Sequence, residues 1–116
     1  MAPPFAVDVV TPEEVIWSGE AEFLVARTTE GEIGILANHE PLMAALSTGA
    51  VAVHGTDGSV TSVGVHGGFL QVYRNQVTLL TDRAEITEGD RDAALRVAFA
   101  LKDDEEAGDD SELLST

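Results

Sequence analysis

Residues 50–81 read AVAVHGTDGSVTSVGVHGGFLQVYRNQVTLLT and consist of four short apolar segments separated by turn residues. Within each segment apolar residues alternate with small or polar ones, which is typical of a strand with one buried face. The turns Gly55-Thr56-Asp57-Gly58 and Arg74-Asn75-Gln76 are short enough for hairpins, and Asp-Gly adopts the required backbone angles at little cost. The stretch therefore predicts strands at residues 50–54, 60–65, 69–73 and 77–81.

The same alternation extends toward the N-terminus. A first strand places Phe5, Val7 and Val9 on one face and is broken by Thr11-Pro12-Glu13-Glu14. A second strand ends at Ser18-Gly19, and further strands are predicted at residues 21–26, with Phe23 and Val25 on one face, and at residues 33–36. Many short strands in 116 residues predict a mainly β fold, namely an N-terminal two-sheet β-sandwich of about ten strands over residues 1–86.

The pattern changes near Ile86. Thr87-x-x-Asp90 resembles a capping box, and residues 90–101 contain several alanines and no Gly or Pro. Spacings of four residues between Leu95 and Phe99, and between Val97 and Leu101, predict one apolar stripe. We therefore expect residues 87–116 to form a short helical segment followed by an acidic tail.

Residues 31–49, GEIGILANHEPLMAALSTG, form the most irregular stretch of the body. They predict a tight glycine turn, a brief strand, a break at Asn-His-Glu-Pro and a small apolar helical turn around Leu42, Met43 and Leu46. A loop with such specific conformational demands is a candidate docking surface.

Composition excludes several classes of function. The chain has 21 acidic and 6 basic residues and a formal charge of −15, so it repels nucleic-acid backbones and anionic lipid surfaces. Its longest apolar runs, residues 42–46 and 97–101, are far shorter than the roughly 20 residues of a membrane-spanning helix, so we expect no direct membrane insertion. The absence of cysteine excludes disulfides and thiolate metal sites.

Catalytic and metal-binding patterns are weak. The candidate metal ligands His39, Glu40, His54 and His66 lack recognisable ligand spacing. A calcium loop starting at Asp103 would place Ala and Leu where ligands are needed. There is neither a nucleophile elbow nor a phosphate-binding loop. We expect no catalytic residue, metal or cofactor, although a stand-alone metal-binding or enzymatic β-sandwich that uses these four residues stays open as an alternative, as does a free binding adaptor.

Several motifs together resemble the epsilon subunit of bacterial F-type rotary ATP synthases. They are Val10-Thr-Pro, Ser18-Gly19-Glu20, Thr29-Glu-Gly-Glu-Ile-Gly-Ile-Leu36, His39-x-Pro41-Leu42, Gly67-Gly-Phe-Leu-x-Val72 and Asn75-x-Val77-Thr78. Each is weak alone, but their order and spacing match the first domain of that family.

The resemblance implies a non-catalytic rotor part on the cytoplasmic face of the bacterial cell membrane. It implies binding to the gamma subunit and the c-ring, coupling of proton flow to ATP synthesis, and contact of the C-terminal helix with the alpha and beta subunits. The residues matching the c-ring-facing end are Thr29, Glu30, Gly31, Glu32, Asn38 and His39.

The C-terminal part departs from the family. The Asp-x-x-Arg-Ala signature of ATP-binding members stands here as Asp90-Arg-Asp-Ala93-Ala94, without the phosphate-directed arginine. We therefore expect no ATP binding. The shortened region and its acidic tail also lead us to expect little inhibition of ATP hydrolysis.

Overall fold

A computed structural model describes residues 4–87 and 93–103, and within them the fold is mainly β, as predicted. Residues 93–103 form helix α1. The described part contains nine strands, against about ten expected: β1 (Phe5–Val10), β2 (Val15–Thr28), β3 (Gly31–Ile35), β4 (Leu42–Ala45), β5 (Gly49–Gly55), β6 (Val60–His66), β7 (Phe69–Tyr73), β8 (Gln76–Leu80) and β9 (Arg83–Thr87).

The strands follow one hydrogen-bonded path that folds into two layers. Their order is β4-β7-β8-β1-β2-β5-β6-β9, with β3 added alongside β2. The first part of β2 pairs with β1, and its last part pairs with β3 and β5. Side chains from both ends of the path, such as Leu70, Val7, Val51 and Val63, form one buried cluster. The long strand β2 therefore carries the chain from the first layer, formed by β4, β7, β8, β1 and the start of β2, to the second layer, formed by the end of β2 with β3, β5, β6 and β9.

Alternation predicted the buried face of most strands correctly. Side chains of Val7 and Val9 in β1 are fully buried, as are those of Leu70 in β7 and Leu79 in β8. These strands are regular, so a period of two residues is enough to separate their inner and outer faces.

The predicted break at Ser18-Gly19 is wrong, because β2 continues through it. The aromatic ring of Trp17 lies over Gly19, where an added Cβ would come within 2.9 Å of it, so the ring covers the glycine. A bulge then shifts the register of β2 against β5 between Ala21 and Phe23. After it the buried positions are Leu24 and Ala26, so Phe23 shares the outer face with Val25.

The predicted helical turn near Leu42 is also wrong. Residues 42–45 form β4, which pairs with β7 from Leu42–Val72 to Ala45–Phe69. Four residues are too few for a stable helical turn in isolation, and pairing with a neighbouring strand satisfies their backbone instead. Strand β9 was not predicted, because its sequence Arg-Ala-Glu-Ile-Thr, although alternating, has only two apolar residues, one of them a small alanine.

Helix α1 falls within the predicted helical region, but its most deeply buried residues lie outside the predicted apolar stripe. Ala94 and Ala98 are fully buried, whereas Phe99 of the predicted stripe is 50% exposed. The physical reason is a close approach to Gly64, described below. Residues 88–92, which include most of the capping box, and residues 104–116 of the predicted acidic tail lie outside the described residues. In the described part of the chain, no helix is both long and apolar enough to cross a membrane.

Candidate interaction surface

The hairpin between β2 and β3 holds four of the predicted site residues, Thr29, Glu30, Gly31 and Glu32. Its shape depends on Thr28, which is 7% exposed. The Thr28 hydroxyl donates to the carbonyl oxygen of Gly31 at 2.7 Å and accepts from the backbone N–H of Glu30 at 3.2 Å. Gly31 has φ of 124°, a conformation that glycine adopts readily. The exposed carboxylates of Glu30 and Glu32 therefore stand on a hairpin that is fixed from inside.

The other two predicted site residues, Asn38 and His39, lie in the loop between β3 and β4. The Asn38 backbone N–H donates to Oδ1 of Asn75 at 2.8 Å. The Asn75 side-chain amide donates to the carbonyl oxygen of Pro4 at 3.1 Å. Nδ1 of His39 donates to the carbonyl oxygen of Glu40 at 2.7 Å. The loop is thus tied to the β7–β8 turn and to the start of β1.

Strand β4 connects the two groups of predicted residues. The Thr29 backbone N–H donates to the carbonyl oxygen of Ala45 at 2.9 Å, so the hairpin tip lies at the end of β4. The Asn38-His39 loop leads into the start of β4 at Leu42. Both groups therefore flank the edge strand, whose Met43 side chain is 64% exposed. A groove of about 280 Å³ runs between the tip and β4.

An apolar row that no sequence motif predicted lies on the outer face of the first layer. Direct pairing aligns its members across five strands, from Ala45 to Phe69, Leu80, Val10 and Val15. Phe69 is 51% exposed, Leu80 46% and Val15 60%, whereas Ala45 and Val10 between and beside them are half-buried. We call these five residues the apolar row. The sequence does contain a sign of this row. In β7, Leu70 and Val72 form the core face, yet Phe69 and Tyr73 on the opposite face are also large aromatic residues.

A carboxylate lies next to the apolar row on the same face. Asp8 is two residues before Val10 in β1, and its oxygens accept hydrogen bonds from the Ser18 hydroxyl at 2.5 Å and from Nε2 of Gln76 at 3.1 Å. The face therefore combines an apolar row with a fixed negative charge.

The candidate metal ligands have separate partners. The His54 ring lies 5.3 Å from the ring of Phe23, and Nδ1 of His66 is hydrogen-bonded to the Thr48 hydroxyl at 2.8 Å. His39 and Glu40 belong to the β3–β4 loop. Within residues 4–87 and 93–103, no group of three or more His, Asp or Glu side chains is placed to hold a metal ion.

The family comparison covers nearly the whole strand-rich part of the chain. Residues 4–87 match the model described as ATP synthase, Delta/Epsilon chain, beta-sandwich domain. The chain belongs to the ATP synthase delta/epsilon family. The resemblance stated from sequence motifs is thereby confirmed, and so is the β-sandwich.

Relatives in the delta/epsilon family include proteins of actinobacteria. An ATP synthase epsilon chain of Corynebacterium efficiens is 43% identical over 100 residues, which cover 85% of this chain and 80% of that protein. The corresponding protein of Streptomyces avermitilis is 40% identical over 88 residues, covering 76% and 71%. For the epsilon chain of Frankia casuarinae, 84 aligned residues at 40% identity are 99% of that protein and 72% of this chain.

Two solved structures of ATP synthase assemblies contain a chain of similar fold. A chain of the Euglena gracilis mitochondrial ATP synthase, determined as OSCP/F1/c-ring, superposes with a TM-score of 0.70 at 27% identity, covering 89% of this chain and 65% of that one. A chain of the Tetrahymena thermophila central stalk and c-ring shares the fold, with a TM-score of 0.54 at 17% identity, covering 68% of this chain and 63% of that one.

Proposed function

We propose that this chain is a non-catalytic rotor subunit of the central stalk of a proton-translocating F-type ATP synthase. In this role it binds the gamma subunit and the c-ring and couples proton flow to ATP synthesis. It is held at the cytoplasmic face of the bacterial membrane by its partners. Family membership and the resemblance to a chain of an F1/c-ring assembly support the proposal.

The apolar row is the observation that carries the assignment of a gamma-binding face. A contiguous row of exposed apolar side chains on one sheet face is typical of a protein interaction site. The outer face of the other layer is partly covered by α1, because Ala94 and Ala98 pack on Gly64 of β6. The first layer therefore offers the open face, and Asp8 beside the row favours a partner surface with basic residues.

The β4 edge supports a second contact, with the c-ring. Thr29, Glu30, Gly31 and Glu32 lie at one end of β4, and Asn38 and His39 precede the other end. Their hydrogen bonds to Ala45 and Asn75 hold both segments in place before a partner arrives, which lowers the entropic cost of binding. Contacts of α1 with the alpha and beta subunits, through which it modulates ATP hydrolysis, are placed at its exposed Phe99.

Replacement of Leu80 tests the gamma-binding face. Leu80→Glu places a charge in the middle of the apolar row, and we expect the variant to lose co-purification with gamma while its thermal unfolding stays close to that of the parent chain. Val60→Glu is the matched control, because Val60 is 54% exposed at the start of β6, outside the row. Equal loss with both variants, or retention by Leu80→Glu, contradicts the assignment.

The c-ring contact has its own variants. Glu30→Ala and His39→Ala should weaken retention of the gamma-bound subunit on the c-ring in a native gel. His54→Ala should not, because His54 packs on Phe23 on the outer face of the second layer. Loss of c-ring retention with His54→Ala and not with the other two variants would contradict the proposed contact.

A further inference from the structure

Helix α1 approaches β6 closely at Gly64. A Cβ atom added to Gly64 would lie 2.6 Å from the carbonyl oxygen of Ala94 and 2.8 Å from the backbone nitrogen of Ala98. It would also lie 2.9 Å from Cγ1 of Val97. Backbone atoms of the helix cannot move aside as a flexible side chain can. The space above Gly64 is therefore filled by the helix itself.

Small residues form both sides of this contact. Ala94 and Ala98 are one helical turn apart and both fully buried, so they line the face that meets Gly64. Ser62, which has the same strand parity as Gly64, is 5% exposed. Close approach of two backbones gives many short dispersion contacts, and each weakens steeply when a gap opens. The contact therefore depends on how closely the helix backbone approaches β6 at Gly64.

We propose that Gly64 is the positioning residue that docks α1 on the sandwich, and that any side chain at this position releases the helix. The lateral position of α1 is set by the seam of Gly64, Ala94 and Ala98. Phe99 stays 50% exposed because it is not part of that seam. Docking of α1 and use of the apolar row take place on opposite layers, so the release of α1 leaves the row intact. Only this last point rests on the proposed function.

Amide hydrogen exchange of the full chain tests the docking. In Gly64→Val we expect the amides of residues 98–103 to lose protection by about tenfold or more, because overpacking a tight contact disfavours the packed state. Gly49→Ala is the matched control within the sheet, since its added Cβ would lie 3.4 Å from side-chain carbons of Arg27, an ordinary contact. Unchanged protection in Gly64→Val, or equal loss in Gly49→Ala, would overturn the proposal.

Variants on the helix side keep the test valid if Gly64→Val fails to fold. Ala98→Leu should release α1 to a similar extent, whereas Ala100→Leu should not, because Ala100 is exposed on the other side of the helix. Fluorescence of Trp17, the single tryptophan, reports separately on whether the sandwich remains folded. Equal exchange in the two alanine variants would mean that the seam does not hold the helix.

Binding to gamma separates this inference from the proposed function. Gly64→Val and Ala98→Leu should retain gamma in co-purification while α1 exchanges faster. If these variants lose gamma binding together with the protection of α1, docking of α1 and binding of gamma are not independent. Failure of the parent chain to bind gamma would refute the proposed function and leave the exchange results on Gly64 in force.

Discussion

The backbone N–H of Asn38 donates to Oδ1 of Asn75 at 2.8 Å and so joins two different loops. Both residues have positive φ. Asn75 lies with Arg74 in the two-residue turn between β7 and β8, and both turn residues have positive φ, as a tight hairpin requires. Asn75 also donates to the carbonyl oxygen of Pro4. One side chain thus connects the turn, the Asn38-His39 loop and the start of β1.

Substitution at Asn75 should separate backbone strain from hydrogen bonding. Asn75→Gly keeps the turn and loses both side-chain hydrogen bonds, so we expect the free energy of unfolding to fall by about 1–2 kcal/mol. Asn75→Ala should cost about 1 kcal/mol more, because alanine tolerates positive φ poorly. Urea denaturation measures both. Arg74→Gly is the control for glycine in the same turn, and its free energy of unfolding should be equal to or higher than that of the parent chain. If Asn75→Gly is as stable as the parent chain, the two hydrogen bonds of the Asn75 side chain contribute nothing.

The Thr28 hydroxyl should control the order of the β2–β3 hairpin. Thr28→Val keeps the shape of the side chain and removes both hydrogen bonds, to Gly31 and from Glu30, so we expect about 1–2 kcal/mol of destabilisation. In Thr28→Val, hydrogen exchange of the Glu30 amide should also become faster. Thr28→Ser restores the hydroxyl and should recover most of the protection. If Thr28→Val and Thr28→Ser protect the Glu30 amide equally, the hydroxyl is not what orders the tip.

Gly68 and Gly58 should respond very differently to alanine. Both have positive φ, 103° and 86°, so both substitutions carry backbone strain. At Gly68 an added Cβ would collide with the backbone of Leu80 and Thr81, whereas at Gly58 nothing lies within 4 Å. We expect Gly68→Ala to cost about 3 kcal/mol or more and Gly58→Ala about 1 kcal/mol. Thermal unfolding measures the loss of stability in both variants, and similar losses would contradict this prediction.

Asp57 should show a pKa that depends on Ser59. The Ser59 hydroxyl, and secondly its backbone N–H, donate to the Asp57 carboxylate and lower its pKa below 3.8. Because the folded pKa is lowered, the resulting stabilisation is present above pH 3.8 and is lost as the pH falls through the lowered value. Ser59→Ala should raise the pKa toward 3.8 in a carboxyl NMR titration. Thr56→Ala, in the same loop, is the control and should leave the pKa of Asp57 unchanged. If Ser59→Ala also leaves this pKa unchanged, the Ser59 hydroxyl is not what lowers it.

Regular strands were predictable because their information is local. In β7, the alternation of Phe69, Leu70, Gln71 and Val72 places Leu70 and Val72 on one face whatever the rest of the chain does. The β7–β8 hairpin followed in the same way, since Arg74 and Asn75 lie between two alternating segments. The residues predicted to face the c-ring came from family resemblance, and the structure brings both groups to the β4 edge.

Other features could not be predicted because distant segments decide them. The bulge between Ala21 and Phe23 changes which side of β2 is buried, and it arises where β2 leaves the first layer to pair with β5. Strand β4 exists because β7 offers it a pairing edge. Thr28 shapes the β2–β3 hairpin through two hydrogen bonds that only the structure reveals.

By itself, the sequence determined that this chain is a mainly β protein of the delta/epsilon type, because alternation and turn residues act over a few positions and motif order survives divergence. Tertiary structure alone decided which outer face stays open and which is partly covered by α1. The apolar row exists because pairing aligns Phe69, Leu80 and Val10 across three strands. The face of α1 that is buried depends on Gly64, some thirty residues earlier, because close packing is a property of two surfaces together.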